Sequence, residues 1–159
     1  MADVVRSVAP RAETARIIAR VRRRRDDMWI ASTALLAAML ALPFAQTTWH
    51  GAEASTILAI SATAMFAGQR WAIAPVVLAE LMLLPTLWPR AFATGWHSPT
   101  ALAALVTLAA IVPGVFAMRR AAVALALVTG QRRTRVTYRR FHAGLVAVGI
   151  VSSLLPVLG

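Results

Sequence analysis

Residues 22–45 read RRRRDDMWIASTALLAAMLALPFA, and the fold class turns on this junction. Four arginines and two aspartates give way to positions 28–45, none of which carries a charge. An α-helix rises about 1.5 Å per residue, so roughly 20 apolar residues cross a hydrocarbon layer about 30 Å thick. The charged side of the junction stays in water or at the interface, and the apolar side enters lipid. Four further apolar stretches follow, at 54–68, 71–88, 100–118 and 141–158. The stretch at 54–68 is the shortest and has room to begin nearer Gly51.

Composition agrees with this reading. Of 159 residues, 59% are apolar and 14% charged, against roughly 45–50% apolar in soluble domains even with glycine counted. A soluble enzyme and a disordered tail are poor fits, and the lack of cysteine removes a disulfide-stapled secreted domain. The expectation is an all-α polytopic transmembrane helical bundle of about five spans. Its organisation is a basic segment 1–27 followed by a bundle over 28–158, with a basic loop at 119–140.

Charge orients the bundle. All 17 basic residues are arginine, against 6 acidic residues, for a net charge of +11. Eight arginines lie in 1–27, and a second block runs from Arg119 and Arg120 to Arg140. Under the positive-inside rule both blocks are cytoplasmic, so an even number of crossings separates them. Keeping 54–68 and 71–88 as two spans gives four crossings. Merging them gives three and strands Arg70 near mid-bilayer, at ~2.5–3.5 kcal/mol. Five spans therefore place the N-terminus inside and the C-terminus outside. Trp29, Trp71 and Tyr138 then fall at inner boundaries and Trp49, Trp88 and Trp96 at outer ones, where such rings concentrate. The basic stretch is too long for the n-region of a signal peptide, so the first span is expected to remain as an anchor.

Within 1–27, Arg16, Arg20 and Arg24 recur every four residues beside Ile17, Ile18 and Val21. That spacing predicts a helix, either resting on anionic headgroups or solvated. Arg22, Arg23, Arg24, Arg25, Arg132, Arg133, Arg135, Arg139 and Arg140 are the residues expected to face lipid or an acidic partner. No aromatic-interleaved groove accompanies them, so nucleic acid is not expected.

Because lipid gives helices no hydrophobic reason to associate, small residues that permit close approach mark packing faces. Ser55, Ala59, Thr63, Gly68, Gly114, Gly149 and Ser153 are the helix-packing candidates. Ala34–Ala38, Ala37–Ala41 and Ala110–Gly114 repeat the same four-residue spacing. Pro75 and Pro85 bracket the third stretch, and Pro113–Gly114 is expected to interrupt the fourth.

Glu80 is the intramembrane proton or ion candidate. It lies mid-way along the third stretch, five residues from each bracketing proline, where an ionised carboxylate is expensive. One reading is a proton-loading carboxyl; the other is a structural acid bonded to Ser61, Thr63 or a carbonyl freed by Pro85. His50, Glu53 and His97 form a weak metal-ligand set on the outer side. No cofactor is expected, and with no nucleophile–base pair or phosphate loop in view, neither is an enzyme. The chain reads as a small non-enzymatic accessory or structural subunit of a larger membrane complex, bound to other subunits or to itself. The alternative is a homo-oligomeric proton-coupled small transporter using Glu80. Alanine and arginine usage without lysine suggests a bacterial cytoplasmic (inner) membrane.

Overall fold

The computed structural model describes residues 2–45, 51–93, 98–131 and 134–158, and among these the chain is entirely helical. In order the helices are α1 (Ala2–Ala45), α2 (Gly51–Phe66), a 3₁₀ turn at Arg70–Ala72 leading into α3 (Ile73–Ala93), α4 (Pro99–Phe116), α5 (Met118–Val128) and α6 (Arg135–Leu158). Among the described residues, three helical stretches are long and apolar enough to cross a membrane: Glu13–Phe44, Arg70–Phe92 and Pro99–Phe116. At 16 residues α2 is a shorter apolar helix.

Helices α1 to α4 form a ring. Each packs on its sequence neighbour, and α4 closes back on α1. Successive helices alternate in direction, as the end contacts show. Arg24 of α1 donates to the Phe66 carbonyl at the C-terminus of α2 (2.8 Å), while Arg90 near the C-terminus of α3 donates to the Phe44 carbonyl at the far end of α1 (3.4 Å). This is the up-and-down arrangement of a four-helix bundle. Helices α5 and α6 pack on one another and on the outer side of α3. As a result α3 has neighbours on α2, α4, α5 and α6.

The core is built largely from alanine. Ala31, Ala34, Ala37, Ala38 and Ala41 form one buried face of α1, so the four-residue alanine spacing of the sequence is the face that packs. On α2 the buried face passes through Ala54, Ser55, Leu58, Ser61, Ala62 and Met65. That path alternates steps of three and four, as a 3.6-residue period requires. A strict four-residue repeat drifts around the helix, and Thr63 is exposed, with Ala59 only half-buried. Leu81 of α3 meets α6 at Gly149, where an added Cβ would lie 3.3 Å from Leu81 Cδ2. Ser153 is exposed and donates to its own helix at Gly149 (2.8 Å).

Two glycines stop helices by the same device. Gly68 (φ +90°) follows α2, and Gly130 (φ +65°) follows α5. In the first, Gly68 N–H donates to Met65 O (2.9 Å) and Gln69 N–H to Ala64 O (3.0 Å). In the second, Gly130 N–H donates to Leu127 O (3.3 Å) and Gln131 N–H to Ala126 O (3.2 Å). Both are Schellman motifs, which need a residue at positive φ. Gly68 thus acts at a turn and makes α2 and α3 separate helices.

Three local features sharpen the sequence reading. Across the compositional boundary at residue 27, α1 runs unbroken for 44 residues, about 66 Å at 1.5 Å per residue. Pro113 lies inside α4, which continues to Phe116 and ends at Ala117. The interruption therefore falls three residues later, where Ala117 N–H turns back to Gly114 O (2.8 Å). Finally, the first part of loop 119–140 is the helix α5, with Ala121, Ala122, Ala124 and Ala126 buried.

Replacing Gly68 by alanine forces a side chain into the left-handed region and should cost ~1–2 kcal/mol. Gly144 sits in helical backbone with open space where a Cβ would stand, so Gly144→Ala should be neutral or stabilise by up to ~1 kcal/mol. Reversible unfolding of both variants in detergent checks the contrast.

Candidate functional site

Glu80 lies on α3, the helix with the most neighbours, and its side chain is 0% exposed. It points at α4. A Cβ built on Gly114 would fall 1.7 Å from Glu80 Oε2 and 2.4 Å from Oε1, so the carboxyl fills the space where a side chain of α4 would otherwise stand. The sequence marks Gly114 only as a small residue four positions from Ala110. Its contact with Glu80 depends on the register between α3 and α4, which no local pattern encodes.

Among the described residues, neither oxygen of Glu80 has a hydrogen-bond partner. Thr63 is exposed and donates to its own helix at Ala59 (2.9 Å), and neither Ser61 nor a carbonyl near Pro85 reaches the carboxyl. Thr107 is buried but is satisfied within α4 by Ala103 O (2.7 Å). A buried polar group left unbonded costs roughly 1–3 kcal/mol. Gly114 offers Glu80 only a Cα–H edge, a weak donor at best.

Beside this helix end, α1 and the α4–α5 corner enclose an open cleft of about 500 Å³. Pro113 and Ala117, one helical turn apart and flanking Gly114, form part of its wall with Phe116. Across the cleft stand Arg25, Asp26, Trp29 and Ile30 of α1, and Arg120 of α5. Arg120 donates to the Asp27 carboxylate of α1. Burial lowers the Arg120 pKa below its ordinary value, while the charge of Asp26 raises it and that of Arg23 lowers it further.

The other sequence candidates are dispersed. Arg22, Arg23, Arg24 and Arg25 are exposed on α1, and only Arg24 reaches another helix as a cap, on the carbonyls of Phe66 (2.8 Å) and Met65 (3.5 Å). A cation at a helix C-terminus satisfies orphan carbonyls and opposes the helix dipole. Arg90 does the same for α1 at the opposite end, with its guanidinium 5.5 Å from the centre of the Phe44 ring. Arg135, Arg139 and Arg140 are exposed on the first turns of α6, and Arg132 and Arg133 lie outside the described residues. Glu53 is exposed on the first turn of α2, whereas His50 and His97 lie outside the described residues. Among the described residues there is no group of three or more potential metal ligands. Sequence reasoning missed the roles of Arg24, Arg90 and the Asp27–Arg120 pair. An arginine's value as a cap depends on which helix end lies beside it.

Comparison with known proteins returns no matching family model, no matching curated protein and no matching solved structure.

If Gly114 is the seat of Glu80, Gly114→Ala should cost ~1–3 kcal/mol by overpacking. In a Glu80→Ala background the added methyl has room, and the same change should cost at least ~1 kcal/mol less. Unfolding of the four proteins of this cycle in detergent measures the coupling; equal costs in both backgrounds would place the carboxyl elsewhere.

Proposed function

We propose that this chain is a small, non-enzymatic membrane subunit that binds a larger complex through the basic arm of α1. One observation carries this reading. From Glu13 to Arg25 the helix is exposed at every position and still presents Ile17, Ile18 and Val21, at 56%, 61% and 64% exposure. Isolated helices of this length are marginal in water, and an exposed apolar stripe at helical spacing marks a surface to be covered. Arg22 and Arg25 border the same stripe.

The continuity of α1 bears on what covers the arm. α1 leaves the bundle as one uninterrupted helix, and a helix continuing along its axis extends away from a bilayer, whereas one lying among headgroups runs parallel to it. A protein partner with apolar residues flanked by carboxylates suits the arm better than the lipid surface does. In this reading the chain crosses a bacterial cytoplasmic membrane five times, with its N-terminus in the cytoplasm and its C-terminus outside. The gathering of Arg24, Arg120 and their helix ends at one end of the bundle, with Arg90 at the other, supports that orientation.

A second reading, a homo-oligomeric proton-coupled transporter, is favoured by one observation: the fully buried Glu80 carboxyl without a partner. An intramembrane acid kept at such a cost is by default a functional residue.

Gentle extraction from native membranes followed by native mass spectrometry separates the two. The subunit reading expects stoichiometric foreign chains, lost by about ten-fold on Ile17→Glu with Val21→Glu, and indifference to Glu80→Gln. The transporter reading expects a clean homo-oligomer, with proton-linked flux in liposomes that disappears in Glu80→Gln.

A further inference from the structure

The cleft between α1 and the α4–α5 corner has a mixed lining. Its charged lining residues are Arg25, Asp26 and Arg120, and its apolar ones include Trp29, Ile30 and Phe116. Its position in the fold is a boundary. Along α1, residues 13–26 are exposed, Asp27 is half-buried, and burial begins at Ile30. Trp29 is 65% and Phe116 85% exposed, so two large rings border the cleft with their faces uncovered. In a membrane this is headgroup level, where aromatic rings and arginines concentrate.

The charges are mixed in sign. A cleft for a purely anionic headgroup would carry guanidinium groups alone, but here Asp26 shares the lining, close enough to Arg120 to raise its pKa. Asp27 already accepts from Arg120 and orients that side chain. Two cations and a carboxylate in one cleft match a headgroup that presents a phosphate and a primary ammonium together. We propose that this cleft binds phosphatidylethanolamine, the phosphodiester on Arg25 and Arg120, the ammonium on Asp26, and the acyl chains along Trp29, Ile30 and Phe116. A phosphatidylglycerol headgroup has no cation for Asp26. A phosphatidylcholine headgroup has a cation with no N–H to donate. At about 500 Å³ the space suits a headgroup and the first methylenes, with the chains continuing into lipid. The inference rests on reading the apolar helices as membrane-spanning; of the cleft's residues only Arg25 also borders the apolar stripe of the arm.

The full chain, reconstituted in nanodiscs containing equal mole fractions of the ethanolamine, glycerol and choline phospholipids with identical acyl chains, is ejected intact in a mass spectrometer and its retained lipids counted. The expected result is retention of the ethanolamine lipid roughly five-fold above each of the others, as one charge-assisted hydrogen bond at a partly wet site would give. Asp26→Asn should erase the preference over phosphatidylglycerol, and Arg25→Gln should lower retention of all three. Both substitutions are at exposed positions, and circular dichroism of each variant confirms that the helices persist. Equal retention of the three lipids, a preference for phosphatidylglycerol, or an ethanolamine preference that survives Asp26→Asn would each overturn the proposal. Failure of the wild-type chain to enter the bilayer would overturn the membrane reading beneath it.

Discussion

Close approach of helix backbones is the constraint on which the rest of this structure depends. Lipid offers apolar side chains as good an environment as a helix neighbour does, so burial alone does not hold helices together in a membrane. What remains is dispersion between surfaces brought close, and alanine brings them closest without glycine's entropic cost. The buried faces of α1 and α5 are runs of alanine. Larger side chains are buried mainly on α3, where Leu81, Leu83 and Leu87 fill the space between neighbouring helices. Hydroxyl groups add little between helices, because Ser32, Thr33, Thr56, Thr63 and Thr107 all donate to carbonyls of their own helix.

Polar interactions between helices are found instead at the ends of the ring. Arg24 caps α2, Arg90 caps α1, and Arg120 meets Asp27. The placement follows from cost: a guanidinium is affordable at the boundary, where it satisfies orphan carbonyls and keeps access to water, and expensive in the middle. Ties at Arg24 and Asp27, midway along α1, and at Phe44, near its C-terminus, hold the bundle half of α1 at two levels within the ring.

Glu80 is the exception to that economy, a carboxyl fully enclosed and unbonded against Gly114. Both residues were conspicuous in the sequence, Glu80 as a lone acid in an apolar stretch and Gly114 as a small residue beside a proline. Their meeting was not, because register between α3 and α4 is set by the whole interface. The same holds for the cleft at the α4–α5 corner. Its Arg25 and Asp26 belong to a charged run that reads equally well as solvated surface until Arg120 and the helix end opposite are known.

The sequence by itself determined the class of this protein. A composition so apolar, with most of its charge gathered in two arginine-rich blocks, admits helices that satisfy their own backbone groups and little else, and the alanine spacing of α1 and the glycines at 68 and 130 carry their geometry locally. Tertiary structure alone decided the unbroken passage of α1 out of the bundle, the ring order with α3 at its most crowded position, the end of α4 just beyond Gly114, and the partners of Arg24, Arg90 and Arg120. The physical reason is range: periodicity and turn chemistry act over a few residues, whereas register and end-to-end pairing are set by packing between helices far apart in the chain.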